Sequence, residues 1–295
     1  MALETETSPV ETEQSMTFGT RRFGAINWLG LWTLYQKEVR RFTKVAFQTV
    51  FAPIISTLLF LLVFMGAWGA RGSGIEMEGV SLPITVFLPP GLIMMAIISN
   101  AFQNSSSTLI IAKVQGSIVD MLMPPLSPAE LTLAIVAGAA TRGLLVGFVT
   151  ALTVSAFTWN SGGLTVLHLW AIVYFAVFAA TLFGMVGAIA GMWAEKFDHN
   201  AAITNFVVAP LSLLSGTFYT IDRLQEPFYT ISHVNPFFYV ISGFRYGFIG
   251  QSDIAGHMEA GAEPVIWAAG GLLAFNAALA LAVFALLKSG WKIRQ

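Results

Sequence analysis

Charged residues break the chain into long apolar stretches, and those stretches predict its elements. Val45–Ala70 carries no charge between Lys44 and Arg71. At 1.5 Å per residue it can cross the ~30 Å hydrocarbon core of a bilayer, which places a first span at about 45–68. Gly79–Ala112 is also uncharged. It is apolar from Val86 to Ile98 and then polar through Ser99, Asn100, Gln103, Asn104 and Ser105–Ser107. It reads as a second span over about 86–107 with a hydrophilic end. Gly143–Ala194 is too long for one helix, and Asn160-Ser161-Gly162-Gly163 splits it with strong turn chemistry. A third span is expected at about 131–157 and a fourth at about 167–193. A fifth follows at about 201–219 and a sixth at about 265–287.

Phe228–Phe244 is uncharged and aromatic, but Asn235 and Pro236 interrupt it. It is either a seventh span or a re-entrant hairpin. Basic residues arbitrate, because they collect on the cytoplasmic side. Arg21, Arg22, Lys37, Arg40, Arg41 and Lys44 precede the first span, and Lys288, Lys292 and Arg294 follow the last. Both ends then belong in the cytoplasm, which requires an even number of crossings. Six spans place Lys113 and Lys196 inside as well and leave only Arg71, Arg223 and Arg245 outside. The expected fold is therefore an all-α integral membrane protein with six transmembrane helices. A re-entrant helical hairpin, about 227–250, lies between the fifth and sixth. Such backbone is tolerated at membrane depth where protein or a water-filled cavity surrounds it.

Residues 27–44 predict a different helix. At 100° per residue Trp28, Leu31, Trp32, Tyr35, Val39 and Phe42 form one stripe, and Lys37, Arg40, Arg41 and Lys44 lie opposite. That is a basic amphipathic helix in the cytoplasmic interface, serving as a topology anchor or as part of a working surface. Residues 1–26 read as an acidic, disordered tail rather than a signal peptide, since Glu4, Glu6, Glu11 and Glu13 are joined by no basic residue before Arg21.

Composition agrees with the membrane reading. Hydrophobic residues make up 56% of the 295 and charged residues 11%, where a soluble domain carries about 25% charged. Net charge is −1 and cysteine is absent. A nucleic-acid binder, disulfides and Cys-ligated metals are excluded.

The link between spans two and three, Lys113–Glu130, holds a short helix that Pro124 and Pro125 terminate. Ser127-Pro128-Ala129-Glu130 is a capping box with proline at the first helical position, a defined start for span three. The link is either a stiff loop or a mechanical coupling element. Residues of catalytic type do not cluster. No lysine follows a glycine, so there is no phosphate-cradling loop, and the four histidines lie far apart. No Asp or Glu falls in the centre of a predicted span, where ion-coupled carriers need one. Only Arg142 lies deep, twelve positions past Glu130, about 18 Å along a helix. It either snorkels or pairs with a carbonyl or with the polar end of span two, or it takes part in gating or substrate contact. Gly143 with Gly147, and Gly187 with Gly191, are spaced for close helix approach within one chain or between two.

Taken in order, Phe87-Leu88-Pro89-Pro90-Gly91-Leu92, the Lys113–Ser127 link and Asn235-Pro236-Phe237…Gly243-Phe244-Arg245-Tyr246-Gly247 give the chain a family likeness. It resembles the ABC-2 type permeases, the membrane subunits of bacterial ABC exporters, over nearly its whole length from about Asn27. It is most similar to small inner-membrane permeases without a large extracellular domain; the acidic tail and the second proline, Pro90, depart from the pattern. The resemblance implies an ABC-2 type transmembrane domain over 45–295, multi-pass in the bacterial inner membrane, whose pathway forms between two copies of the chain. Each copy would dock a separate ATPase subunit. ATP and Mg would bind that partner, and this chain would hold no cofactor and no metal. The coupling helix would fall on about 113–125, with Lys113, Val114, Gly116, Ile118, Asp120, Met121, Leu122, Pro124 and Pro125. Trp28, Trp32, Lys37, Arg40 and Arg41 would complete the ATPase-facing surface. Asn235, Pro236 and Arg245 would belong to the extracellular closure. Asn100, Asn104, Arg142, Asn205, Ser212 and Thr217 are candidates to line the pathway. The expected substrate is amphiphilic: a lipid, a lipid-linked glycan or a hydrophobic drug. An ion-coupled carrier and a non-transporting scaffold remain the other readings.

Overall fold

The computed structural model describes residues 26–69, 75–77, 80–122, 125–159, 163–255 and 261–292. The predicted acidic tail falls outside them, apart from Ile26. Among the described residues five helices are long and apolar enough to cross a membrane: α2 (Ala46–Gly69), α3 (Ile84–Val114), α5 (Pro128–Thr158), α6 (Leu169–Trp193) and α11 (Glu263–Ser289). Ahead of them lies α1 (Trp28–Thr43), and between α3 and α5 a single-turn helix, α4 (Ile118–Leu122).

The centre of the bundle is α3. It packs against α5, α6, α10 (Pro236–Ile249) and α2. In its most apolar window 78% of residues are buried, against 11% for α2, which lies at the periphery. Both glycine pairs serve this core. A Cβ at Gly143 would stand 2.8 Å from the Ile97 carbonyl, and one at Gly191 2.8 Å from the Ser106 carbonyl; Gly147 and Gly187 meet Ile97 and Phe102 as closely. Their spacing brings α5 and α6 onto α3, within one chain.

The chain departs from a simple all-α bundle in two places. Between α2 and α3 a two-stranded antiparallel ribbon, β1 (Ile75–Met77) with β2 (Val80–Leu82), pairs Ile75 with Leu82. The region expected to hold the fifth span is also not one regular helix over 201–219. It runs as α7 (Phe197–Ile203), a π-helical turn (Thr204–Val208) and α8 (Ala209–Leu213), then ends in a turn. Pro210 lacks the N–H that would continue an i→i−4 ladder, and Ala209 N–H bonds back to Thr204 instead, five residues away. Gly216, at φ +71°, then reverses the chain.

The interrupted aromatic segment forms two helices, α9 (Phe228–Val234) and α10. Pro236 opens α10, and Asn235 caps it by accepting the Phe237 N–H at 3.1 Å. The Asn235 amide also donates to the Leu211 carbonyl at 2.6 Å, which fastens this corner to α8.

Candidate functional site

At the end of the bundle that carries α1 and α4, one carboxylate joins two helix starts. Ser127 caps α5 and Glu130 closes the capping box, accepting the Ser127 N–H at 2.6 Å on one oxygen. Its other oxygen accepts the backbone N–H of Asn27 at 2.5 Å. Asn27 itself caps α1 through the Gly30 N–H at 2.9 Å and donates its amide to the Pro125 carbonyl at 3.3 Å. Two positive helix ends therefore face one negative charge. Hydrogen bonds thus join the start of α1, the exit from α4 and the start of α5.

Further along α1, Leu34, Glu38 and Phe42 form the buried face, packed mainly on α5. Glu38 is 1% exposed. It accepts from Arg41 Nη2 at 3.0 Å and from Thr108 Oγ1 at 2.7 Å. Arg41 also donates to the Asn104 carbonyl at 2.8 Å, to Asn104 Oδ1 at 3.1 Å and to Ser107 Oγ at 3.2 Å. Gly138 makes room, since a Cβ there would sit 2.6 Å from Glu38 Cβ. This corrects the helical wheel. Arg41 turns into the protein rather than out with Lys37 and Arg40, and Phe42 packs inward while Trp28 and Trp32 stay 67% and 57% exposed. Glu38 was not anticipated. Its signal was being the only acid in a basic helix, three residues before an arginine.

The predicted coupling segment is not one continuous helix. Lys113 and Val114 end α3, Gly116 takes φ +68° in the turn, and α4 begins at Ile118. The turn rotates the two halves relative to each other. Ile118 packs inward, while Val114, Val119 and Asp120 are exposed, so Val114 and Ile118 do not share a face. Lys113 does not reach outward: its ammonium donates to the Ala194 carbonyl at 3.1 Å and to that of Met192, capping α6. Met121 and Leu122 complete α4; Pro124 is outside the described residues, and Pro125 is exposed.

The candidate pathway residues separate. Asn100 and Arg142 line a cavity of about 530 Å³ between α2, α3 and α5. Asn104 is drawn into the Arg41 network through its carbonyl and Oδ1. Asn205 is exposed on the π-helical turn. Ser212 is buried and bonds the Val208 carbonyl at 2.7 Å, and Thr217 bonds Ser215 at 3.0 Å beside Gly91.

At the opposite end Arg245 is 0% exposed. Its Nη2 donates to the Gly216 carbonyl at 2.6 Å, Nη1 lies 3.8 Å from Asp253 Oδ2, and Cζ sits 3.9 Å over the Phe87 ring. Asp253 is oriented by Ser242. One guanidinium thus ties the turn after α8, the segment after α10 and the start of α3. Among the described residues no three His, Asp or Glu side chains converge for a metal.

The chain belongs to the ABC-2 type transporter family, whose profile matches residues 30–249. It is 34% identical over 270 residues to the inner membrane transport permease YadH of Escherichia coli K12, covering 91% of this chain and 98% of that one. The YadH proteins of E. coli O157:H7 and Shigella flexneri match to the same extent.

Proposed function

We propose that the chain is the membrane subunit of an ATP-driven exporter, working as a homodimer on an amphiphilic substrate. The observation that carries this is the Glu130 junction: α1, α4 and the start of α5 form one braced surface, from which Val119 and Asp120 project. A separate ATPase subunit, two copies per dimer, would dock there and bind ATP and Mg. Its strokes would pass through α3 and α5, which both frame the cavity. We read Phe197–Leu213 as a sixth crossing, with both termini cytoplasmic, α1 lying in the interface and α9–α10 re-entering from outside. Seventeen helical residues reach about 26 Å, close to the hydrocarbon thickness. The trend of basic residues supports this orientation.

The test is co-purification with an ABC ATPase subunit co-expressed from the same genome, followed by substrate-stimulated ATP hydrolysis in vesicles. A chain that neither binds the ATPase nor raises its turnover would end the exporter reading. Reporter fusions after Asn160 and Gly256 should be external and one after Gln295 internal; an external C-terminus overturns the six-span topology. Native mass measurement should find pairs, and an active monomer would refute the dimer.

A further inference from the structure

Three arginines lie within the bundle near α3, and they are provided for differently. Arg41 has Glu38 as its counter-charge and Arg245 has Asp253. Arg142, at mid-length on α5, has none: its buried Nε has no hydrogen-bond partner, and it forms no ion pair among the described residues. Arg142 is partly exposed and opens on the cavity, so an anion bound there would meet a guanidinium with no protein counter-charge. The cavity it lines contains no Asp or Glu. The lining is polar on α3 (Asn100, Gln103) and also on α2 (Gln48, Thr57), with apolar surface from Phe60 and Phe218. The volume, about 530 Å³, is that of a small-molecule site. The outer wall is α2, the least buried of the long helices, so the cavity sits at the edge of the bundle.

We propose that this cavity is a binding site for an amphiphile with an acidic headgroup, phosphate or carboxylate, whose charge is met by Arg142 and whose chain lies along the apolar surface. This deepens the transport reading by naming a substrate class, and rests on it for the route though not for the binding. The planar guanidinium suits an oxyanion through paired charge-assisted hydrogen bonds. The neighbouring amides contribute donors without adding a competing carboxylate.

The test presents the full chain in mild detergent with dioleoyl phosphatidylglycerol, with dioleoyl phosphatidylcholine and with glycerol 1-phosphate. Bound molecules are counted by native mass spectrometry. The wild type should retain phosphatidylglycerol over phosphatidylcholine by about tenfold. Arg142→Gln should reduce that preference to within about twofold. Arg142→Lys should keep part of it, and the exposed Lys288→Gln should leave it unchanged. Melting temperature separates a binding role from a structural one. Arg142→Gln should melt no lower than wild type, since no protein partner is lost, and should not be stabilised by phosphatidylglycerol as the wild type is. An undiminished preference in Arg142→Gln overturns the proposal, as does a lowered melting temperature. Binding of glycerol 1-phosphate as tight as that of phosphatidylglycerol overturns the amphiphile assignment. Intact ATPase association with no Arg142-dependent preference defeats the site alone; the reverse result defeats the exporter reading alone.

Discussion

Glu130 and Asn27 stand 103 positions apart in sequence, yet the carboxylate of one holds the backbone N–H of the other at 2.5 Å. The same carboxylate closes the cap of its own helix, so one side chain fixes the first turn of α5 against the first turn of α1.

Removing that carboxylate should therefore do more than removing a cap. Glu130→Ala frees the amides of both Ser127 and Asn27 and is expected to lower stability more than Ser127→Ala does. Thermal unfolding in detergent gives the comparison. Equal losses in the two variants would mean that the bond to Asn27 contributes nothing.

The far end gives a prediction of opposite logic. Asp253→Asn leaves Arg245 fully buried without its counter-charge and should cost about 3–5 kcal/mol. Replacing both, as Arg245→Met with Asp253→Leu, should recover much of that loss, because the desolvation of two charges disappears. Chemical denaturation of the single and double variants measures it; a double variant worse than the sum of the singles would contradict the argument.

Coupling should depend on the outward face of α4. Val119 is exposed on a helix braced at both sides. Val119→Asp should insert normally, since it lies between the spans, and should abolish stimulation of the partner's ATP hydrolysis. A charge left buried and unpaired in a docking groove costs several kcal/mol. Wild-type stimulation in this variant would move the docking surface to Trp28–Thr43.

The C-terminal anchor should respond to acid only. Lys292 bonds Glu195 at 3.1 Å, and this hydrogen bond and the lysine's charge hold the Glu195 carboxyl below its usual range. A lowered folded-state pKa stabilises above the ordinary carboxylate value and fades as pH falls through the lowered one. Hydrogen exchange at Gly290–Lys292 should thus show unchanged protection from pH 7 to about 5 and loosening below about 4. Glu195→Gln should remove that step.

Much of this architecture is legible in the sequence wherever local chemistry decides it. Uncharged stretches of spanning length become helices because only hydrogen-bonded backbone tolerates an apolar surrounding. Ser127, Pro128 and Glu130 announce a cap, and Asn235-Pro236 breaks an aromatic run into two helices, because caps and prolines act within four residues. The wheel of α1 was legible only by halves. A helix at a membrane interface meets lipid, water and protein, and polarity distinguishes just the first two. That Arg41 faces inward was decided by Glu38, Asn104 and Ser107, which α1 and α3 bring together. Lys113 caps α6 because α3 ends beside it, and the glycine pairs face α3 because α3 is the centre. Arg142 was conspicuous from its charge alone. That it has no counter-charge, and that a cavity stands in front of it, depends on how α2, α3 and α5 cross, since a buried charge is met or left unmet by neighbours distant in the chain.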